Sequence, residues 1–341
     1  MVGAVIVKNG RAIGEGYHER YGGPHAEVNA IRNAIDRGHT LTGATIYVNL
    51  EPCSHHGKTP PCAEAIIRSG CRRVVIGTMD PNPLVAGKGI LKLRSKGIRC
   101  TVGLLKNDAT TLNEAFFKYI RSGMPFVSIK AAQTSDGYIA RNDGSSQWIT
   151  NARSRAFGHR LRSRYDAVAV GAQTVMTDDP ELTVRMVKGR NPVRIVVDGR
   201  FTLPVQRKIF QHIGNAKTVL YVDSRFLRKK NAKARTLRNN GVQVIGVKGS
   251  NGKLDIRKVL KDLAGRNIAS VLVEGGQRTY ASFMNAKCVD TMWIYTAPKK
   301  FYEGVKTFDG ISVSFKRSKR YTKRFSADTL CEYSITYPTS R

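Results

Sequence analysis

His25-Ala26-Glu27 and, further along the chain, Cys53 and Cys62 are the side chains best suited to hold a metal ion and move protons. A neutral imidazole and two thiolates are good zinc ligands, and three protein donors leave a fourth position for water, the catalytic arrangement. Zinc lowers the pKa of that water, so hydroxide becomes available near neutral pH. Glu27, two residues from His25, is badly placed to bind the same ion through the same turn. It is well placed to shuttle a proton between the water and a substrate nitrogen. This is the chemistry of hydrolytic deamination, in which hydroxide attacks a ring carbon bearing an amino group. His-x-Glu alone is a weak signal, whereas His-Ala-Glu, then a strand, then Glu-Pro-Cys, in that order, is strong. Zinc deaminases usually carry two residues between their cysteines; here eight intervene. His55 and His56, inside that loop, are expected to shape it or to line a substrate pocket.

These residues need elements to hold them. Val2–Val7 and Ala12–Tyr17 read as strands joined by the hairpin signal Asn9-Gly10. Glu27–Arg37 reads as a helix with Val28, Ile31, Ala34 and Ile35 on one face and Gly38 ending it. Strands are expected at Ala44–Asn49, Arg73–Gly77 and Ile98–Val102, with helices at Ala63–Ser69, Gly89–Ser95 and Leu112–Ile120. Gly123-Met124-Pro125 then breaks the pattern. The second part has expected strands at Phe126–Ala132, Ala167–Gly171, Val193–Asp198, Thr218–Val222, Val242–Val247, Ser270–Glu274 and Thr291–Thr296. Helices are expected around Arg153–Arg164, Ala232–Asn239, Ile256–Ala264 and Tyr280–Ala286. Such alternation argues for a largely parallel sheet with helices on both faces. The reading is therefore of two α/β domains, residues 1–122 and 123–341.

Composition limits the alternatives. With 341 residues and 41% apolar content the chain can bury a sizeable core. No apolar stretch approaches the length that spans a bilayer, and Met1–Val7 lacks the flanks of a signal peptide. A cytoplasmic protein without a membrane partner is expected. The six cysteines do not read as a disulfide framework in such a chain. The net charge of +32 is spread along the whole sequence. It reads as a solvated basic surface, and the locally basic stretch Arg225–Arg238 as an exposed helix face. No specific nucleic-acid partner is expected.

The run Glu51–Cys62 resembles the signature of the bifunctional riboflavin-biosynthesis deaminase/reductase family. So do Gly14-Glu15-Gly16-Tyr17-His18 and Asp80-Pro81-Asn82-Pro83 with Val85-Ala86-Gly87-Lys88-Gly89. The longer cysteine loop separates that family from cytidine deaminases. The similarity continues through Lys130–Gly137, Ser146-Gln147-Trp148-Ile149-Thr150, Gly171–Arg185 and Val273-Glu274-Gly275-Gly276. It implies a cytidine-deaminase-like αβα domain followed by a domain similar to dihydrofolate reductase. It implies zinc on His25, Cys53 and Cys62, with Glu27 as the proton shuttle, and NADPH in the second domain. Ala132, Trp148, Thr174, Asp178, Gly199 and the turn Gly276, Gln277, Arg278, Thr279, Tyr280, Ala281 and Ser282 would contact NADPH. Ser146, Arg162, Leu182, Arg185 and Glu274 would contact a small phosphoribosylated pyrimidine. A homo-oligomer is the family expectation.

The residues themselves leave some of these roles open. Glu274-Gly275-Gly276 follows an apolar strand and precedes a helix; glycines there let backbone amides approach a phosphate, but a tight turn alone would look the same. Trp148 could cover a flat ring or fill the core. Arg162 and Arg185 could grip a phosphate by their forked donors, or could be surface arginines. The family normally carries a leading helix and Asn-Pro-x-Val-Gly before the first strand, and this sequence starts inside that motif at Met1-Val2-Gly3. A start placed too late is the expectation, with an impaired deaminase as the alternative. Near the end, Ala297–Gly304 departs from the family's Leu-Leu-Gly-rich turn. A zinc deaminase of RNA bases and a basic RNA-binding protein on a decayed enzyme are the competing readings. The long cysteine loop and the second domain argue against the former, and the intact His-x-Glu and paired cysteines against the latter.

Overall fold

The structure is a computed structural model describing residues 1–20, 22–57, 59–83, 85–146, 148–211 and 213–338. Lys58 and Gln147, from the motifs quoted above, lie outside the described residues. The chain forms two compact units, Met1–Ser122 and Gly123–Arg341.

The first unit runs β1 (Gly3–Lys8), β2 (Arg11–Tyr17), α1 (Ala26–Asp36), β3 (Thr45–Leu50), α2 (Cys62–Ser69), β4 (Arg73–Thr78), α3 (Lys88–Ser95), β5 (Arg99–Val102), α4 (Lys106–Leu112) and α5 (Glu114–Ser122). The strands form one sheet in the order β2-β1-β3-β4-β5. β1 pairs antiparallel with β2 and β3, whereas β3, β4 and β5 are parallel. Asn9 and Gly10 both take positive φ, as the tight hairpin requires. The core joins Ile6, Ile46, Val74 and Ile76 of the sheet to Ala30, Ile31, Ala34, Ile66 and Leu93 of the helices.

One expectation fails here and one is incomplete. The buried face of α1 carries Ala26, Ala30 and Ala34 with Ile31, while Ile35 is 56% exposed. The reason is close packing: a Cβ on Gly16 would lie 2.3 Å from the Ala30 nitrogen, so β2 meets the small-residue row of the helix directly. The helix expected at Leu112–Ile120 is α5, and a further short helix that was not expected, α4, precedes it across the buried Asn113, whose Nδ2 donates to the Ala109 carbonyl.

The second unit runs β6 (Phe126–Thr134), β7 (Tyr138–Ala140), α6 (Ala152–Arg164), β8 (Ala167–Gly171), α7 (Ala172–Asp178), β9 (Val193–Val197), α8 (Lys208–Gln211) and β10 (Thr218–Asp223). Then follow α9 (Ser224–Lys229), α10 (Asn231–Asn239), β11 (Gln243–Val247), β12 (Gly249–Ser250), β13 (Lys253–Leu254), α11 (Ile256–Gly265), β14 (Ser270–Val273) and α12 (Gln277–Asn285). The unit closes with β15 (Thr291–Ala297), β16 (Val305–Lys306), β17 (Lys316–Phe325) and β18 (Asp328–Thr336). Nine strands form one sheet, β11-β10-β9-β8-β14-β6-β15-β18-β17. Pairing is parallel from β11 to β15 and antiparallel at the last two steps.

Alternation along the strands divides the core into two layers. Ala167, Ala169, Ile195, Val219 and Tyr221 pack with Val259, Leu263 and Phe283. Their neighbours Val168, Val170, Val196, Leu220 and Val222 pack with Val175, Phe210 and Leu237. The helix expected at Ala232–Asn239 is α10, and the basic stretch Arg225–Arg238 runs through it and through a shorter helix that was not expected, α9. α7 and the final pair β17–β18 escaped the pattern reading. β17, Lys-Arg-Ser-Lys-Arg-Tyr-Thr-Lys-Arg-Phe, is an edge strand largely exposed on both faces, so no apolar alternation marks it. Charged residues on such an edge oppose pairing with another chain.

Candidate functional site

In the first unit, His25 is the N-cap residue of α1, Glu27 stands in its first turn, and Cys62 opens α2. Cys53 follows β3, and its carbonyl accepts the Ala63 N–H. Two helix starts thus point at one spot, a setting that favours thiolates. One ligand atom from each of His25, Cys53 and Cys62 lies within 4.8 Å of the other two. His25 Nδ1 is 3.2 Å from Cys62 Sγ and 3.6 Å from Cys53 Sγ, and the Cys62 N–H donates to Cys53 Sγ at 3.3 Å. Cys53 is pulled down to about 4, first because the Cys62 thiol donates to it, and Cys62 rises because its proton is the shared one. The nitrogen and two soft sulfurs fit zinc. Glu27 is 3% exposed, and burial pushes its carboxyl up to about 7.

Glu51, of the Glu-Pro-Cys run, has a different job. Its buried carboxylate accepts the backbone N–H groups of Asp80, Gly87, Gly89 and Ile90. A Cβ on Gly89 would fall 1.9 Å from the Pro52 carbonyl oxygen. The Asp80–Gly89 loop is thereby fastened to the segment that carries Cys53. Pattern reading did not find this role; a buried acid before Pro-Cys with a glycine-rich helix start downstream was its only trace.

In the second unit Thr174, Asp178, Glu274 and Gly276 follow the carboxyl ends of β8 and β14. The Gly276 N–H donates to Thr174 Oγ1 at 3.0 Å, which joins the starts of α7 and α12. Gly276 is the N-cap of α12, and the first helical N–H groups, on Gln277 and Arg278, have no intrahelical acceptor. Ser146 Oγ donates to Asp178 at 3.4 Å, and burial moves the Asp178 carboxyl up. Arg162 grips Glu274 with two bonds, 2.5 and 2.9 Å, and donates a third to the Thr183 carbonyl. Its fork is therefore committed to Glu274 and is not free for a phosphate. The exposed Arg185 has its side chain clear, and its N–H donates to His159 Nδ1.

Lys130 and His159 belong to this cluster although they escaped the sequence reading. Lys130 Nζ lies 3.7 Å from Glu274, and burial pushes its ammonium down. Burial would raise Glu274, but the Arg162 and Lys130 charges outweigh it and hold the carboxyl at about 2. His159 falls to about 4, through burial and then the Arg162 and Arg185 charges. A lysine in the middle of a strand that begins Phe-Val-Ser-Ile was the available signal.

Other predicted residues stand apart. Trp148 is 58% exposed with the Arg155 guanidinium 4.4 Å over its ring, so it does not fill the core. Tyr280 is a core side chain whose hydroxyl donates to the Lys130 carbonyl. Ser282 bonds back to the Arg278 carbonyl on the exposed side of α12. Leu182 is buried with φ 55°, and Gly199 lies beyond the end of β9. Ala132 lies near the end of β6.

The model of the cytidine and deoxycytidylate deaminase zinc-binding region matches residues 1–78, and that of the RibD C-terminal domain matches residues 125–330. The riboflavin biosynthesis protein RibD of Aquifex aeolicus is 44% identical over 332 residues, 96% of this chain and 90% of the relative. The chain belongs to the RibD family. A structure from Thermotoga maritima, a diaminohydroxyphosphoribosylaminopyrimidine deaminase/5-amino-6-(5-phosphoribosylamino)uracil reductase, superposes with a TM-score of 0.87 at 39% identity. It covers 98% of this chain and 92% of that one. RibD of Acinetobacter baumannii gives 0.85 at 33% identity with the same coverage. RibD membership makes the chain a bifunctional deaminase and reductase of riboflavin biosynthesis, using zinc and NADPH. Among the described residues no helix is long and apolar enough to cross a membrane.

Proposed function

We propose that the chain acts twice on a phosphoribosylated diaminopyrimidinone: hydrolytic loss of a ring amino group as ammonia, then reduction of the ribosyl group to a ribityl chain. The convergence of His25, Cys53 and Cys62 beside the buried Glu27 carries this reading. His25 Nδ1 and the two sulfurs would hold zinc, which when bound would make an attacking water available near neutral pH. Glu27 would take a proton from the attacking water and deliver it to the departing nitrogen. A C–O bond forms, the C–N bond breaks, and a ring carbonyl replaces the amine. Glu51 keeps the Asp80–Gly89 loop in place beside this chemistry.

In the second unit the start of α12, with Thr174, would hold the cofactor pyrophosphate, because helix N–H groups and dipole favour negative charge. Ala132, Trp148 and Asp178 would contact the cofactor, which supplies the hydride, and Asp178, steadied by Ser146, would be the polar group near the reacting ribose carbon. Glu274, its charge fixed by Arg162 and Lys130, accepts N–H groups of the pyrimidine. Arg185 would face the substrate phosphate, and Leu182 is a further substrate contact that the family resemblance implies. A cytoplasmic homo-oligomer follows from the same family resemblance.

The test is to give zinc-loaded protein the phosphoribosylated diaminopyrimidinone with NADPH, and to follow ammonia and NADPH absorbance together. Both should change, ammonia first. Cys62→Ser should lose zinc and ammonia release yet still oxidise NADPH when handed the deaminated compound. Undiminished ammonia release from that variant would refute the metal site.

A further inference from the structure

Asp136, within Lys130–Gly137, and the turn Ala297–Gly304 have no part in the chemistry above. The turn leaves the end of β15 and leads into β16. It is bound at successive residues to the turn between β6 and β7. The Lys299 carbonyl accepts the Ser135 N–H at 2.9 Å and the Ser135 hydroxyl at 3.0 Å. Asp136 Oδ2 accepts the N–H groups of Phe301 at 3.1 Å and of Tyr302 at 2.8 Å. The Tyr138 hydroxyl donates to the Tyr302 carbonyl at 3.1 Å. A Cβ on Gly304 would lie 2.2 Å from the Ala140 carbonyl oxygen, so the far end of the turn presses on β7.

From this fixed turn a side chain reaches across to the segment that carries Trp148. Lys299 Nζ donates to the Trp148 carbonyl at 2.8 Å, a bond between residues 151 positions apart. At the start of the same segment the Arg141 guanidinium lies 4.4 Å over the Phe301 ring. Trp148 needs such support, because its indole is exposed and lies against Arg155 instead of in the core. Arg155 holds the ring and is itself tied to the Thr150 carbonyl at 2.7 Å. Lys299 holds the main chain. An exposed lysine loses side-chain entropy when it commits to one partner, and water competes for its ammonium. The Lys299 backbone is already fixed by Ser135, which leaves only the side chain to order.

We propose that Lys299 is a positioning residue of the reductase: its ammonium fixes the loop that presents Trp148 to the cofactor, and Asp136 acts through Lys299 by fixing the turn. The inference rests on reading Trp148 as a cofactor contact. A large aromatic group on a solvated loop must be ordered when a ligand arrives, and that ordering subtracts from affinity. A loop already tied at its carbonyl loses less freedom on binding. Lys299 therefore acts on affinity for NADPH and not on the hydride step, and it acts through Trp148 and not on the cofactor directly. Asp136 and Lys299 stand in series, because the carboxylate holds the N–H groups of the turn from which the ammonium extends.

Trp148 is also the reporter. The chain has two tryptophans, and the other, Trp293, is buried with its indole N–H on the Tyr165 hydroxyl. In the full-length, zinc-loaded protein without ligand, Lys299→Met should enlarge the fast, nanosecond component of the tryptophan anisotropy decay. Trp148→Ala should abolish that component. NADPH, titrated by calorimetry, should bind Lys299→Met about tenfold more weakly, the worth of one hydrogen bond to a charged group. With the deaminated compound the loss should appear in the KM for NADPH and not in kcat. Lys299→Arg, which keeps a charged donor, should recover most of the affinity. Asp136→Asn should act in the same sense, and adding Lys299→Met to it should cost no more than the worse single change. Circular dichroism checks that each variant folds. Unchanged affinity in Lys299→Met overturns the assignment, whether or not the loop loosens. So does lost affinity with Trp148 as rigid as before, or losses that add in the double variant. A Trp148→Ala protein that binds NADPH as tightly as the wild type overturns the cofactor reading of Trp148 instead.

Discussion

Two buried glutamates, one in each unit, are driven in opposite directions by their surroundings. Glu27 lies at the start of α1 beside His25, and burial lifts its carboxyl to about 7. Glu274 lies at the end of β14 between Arg162 and Lys130, and their charges hold it at about 2 despite burial. The same side chain thus serves two purposes: one can give and take a proton near neutral pH, the other is a permanent negative charge. Environments that push two carboxyls apart are how a protein assigns such roles. The first requires a dry pocket with few partners; the second requires partners already committed to it.

The contrast can be broken first at Glu27. Glu27→Gln keeps the shape and the ligands but cannot carry a proton. Deamination should fall by about 10²–10⁴-fold, the usual worth of a positioned acid–base group, with zinc content unchanged. NADPH oxidation on the deaminated compound should not change. A variant that still releases ammonia at the wild-type rate would remove Glu27 from the proton path.

The next test strips Glu274 of its fork. Arg162→Ala leaves a carboxylate in a buried site with only Lys130 nearby. Breaking a buried pair by removing one partner costs about 3–5 kcal/mol, so the second unit should melt earlier while the first keeps its transition. Changing both members, Arg162→Met with Glu274→Gln, should recover much of the stability and none of the reductase activity. If Arg162→Ala melts as the wild type does, the fork is not what holds Glu274 in place.

These two sites were not equally legible in the sequence. The metal ligands stand in short local runs, His25-Ala26-Glu27 and Glu51-Pro52-Cys53, whose residue types already state their chemistry. The elements around them follow from alternation and from the Asn9-Gly10 hairpin. The Glu274 cluster is different. Lys130, His159, Arg162 and Glu274 come from three elements far apart in the chain, and each alone looks like a surface charge or a strand irregularity. Only the parallel sheet, which sets the end of β14 beside β6 and beneath α6, makes them one group. Glu51 was hidden for a similar reason: its partners are backbone N–H groups, which carry no residue signature. β17 was hidden because a solvated edge needs no apolar face.

A finer test uses acid. His159 is buried and accepts the Arg185 N–H through Nδ1, so the folded chain resists its protonation and its pKa falls from 6.5 to about 4. The unfolded chain takes up that proton first. Stability contributed by keeping His159 neutral is therefore whole above about pH 6.5 and is lost as the pH falls toward 4. The unfolding equilibrium of the second unit should shift by up to about tenfold per pH unit in this window, the effect of one proton. Glu274 acts in a lower window: its ionised form stabilises the fold above about 4.5, and that contribution goes only as the pH approaches 2. Denaturant unfolding of His159→Gln between pH 7 and pH 4 should show a flatter dependence than the wild type, with the decline below pH 4 unchanged. Equal slopes for the two proteins would mean that His159 is already charged in the folded state, and the cationic cluster around Glu274 would then have to be redrawn.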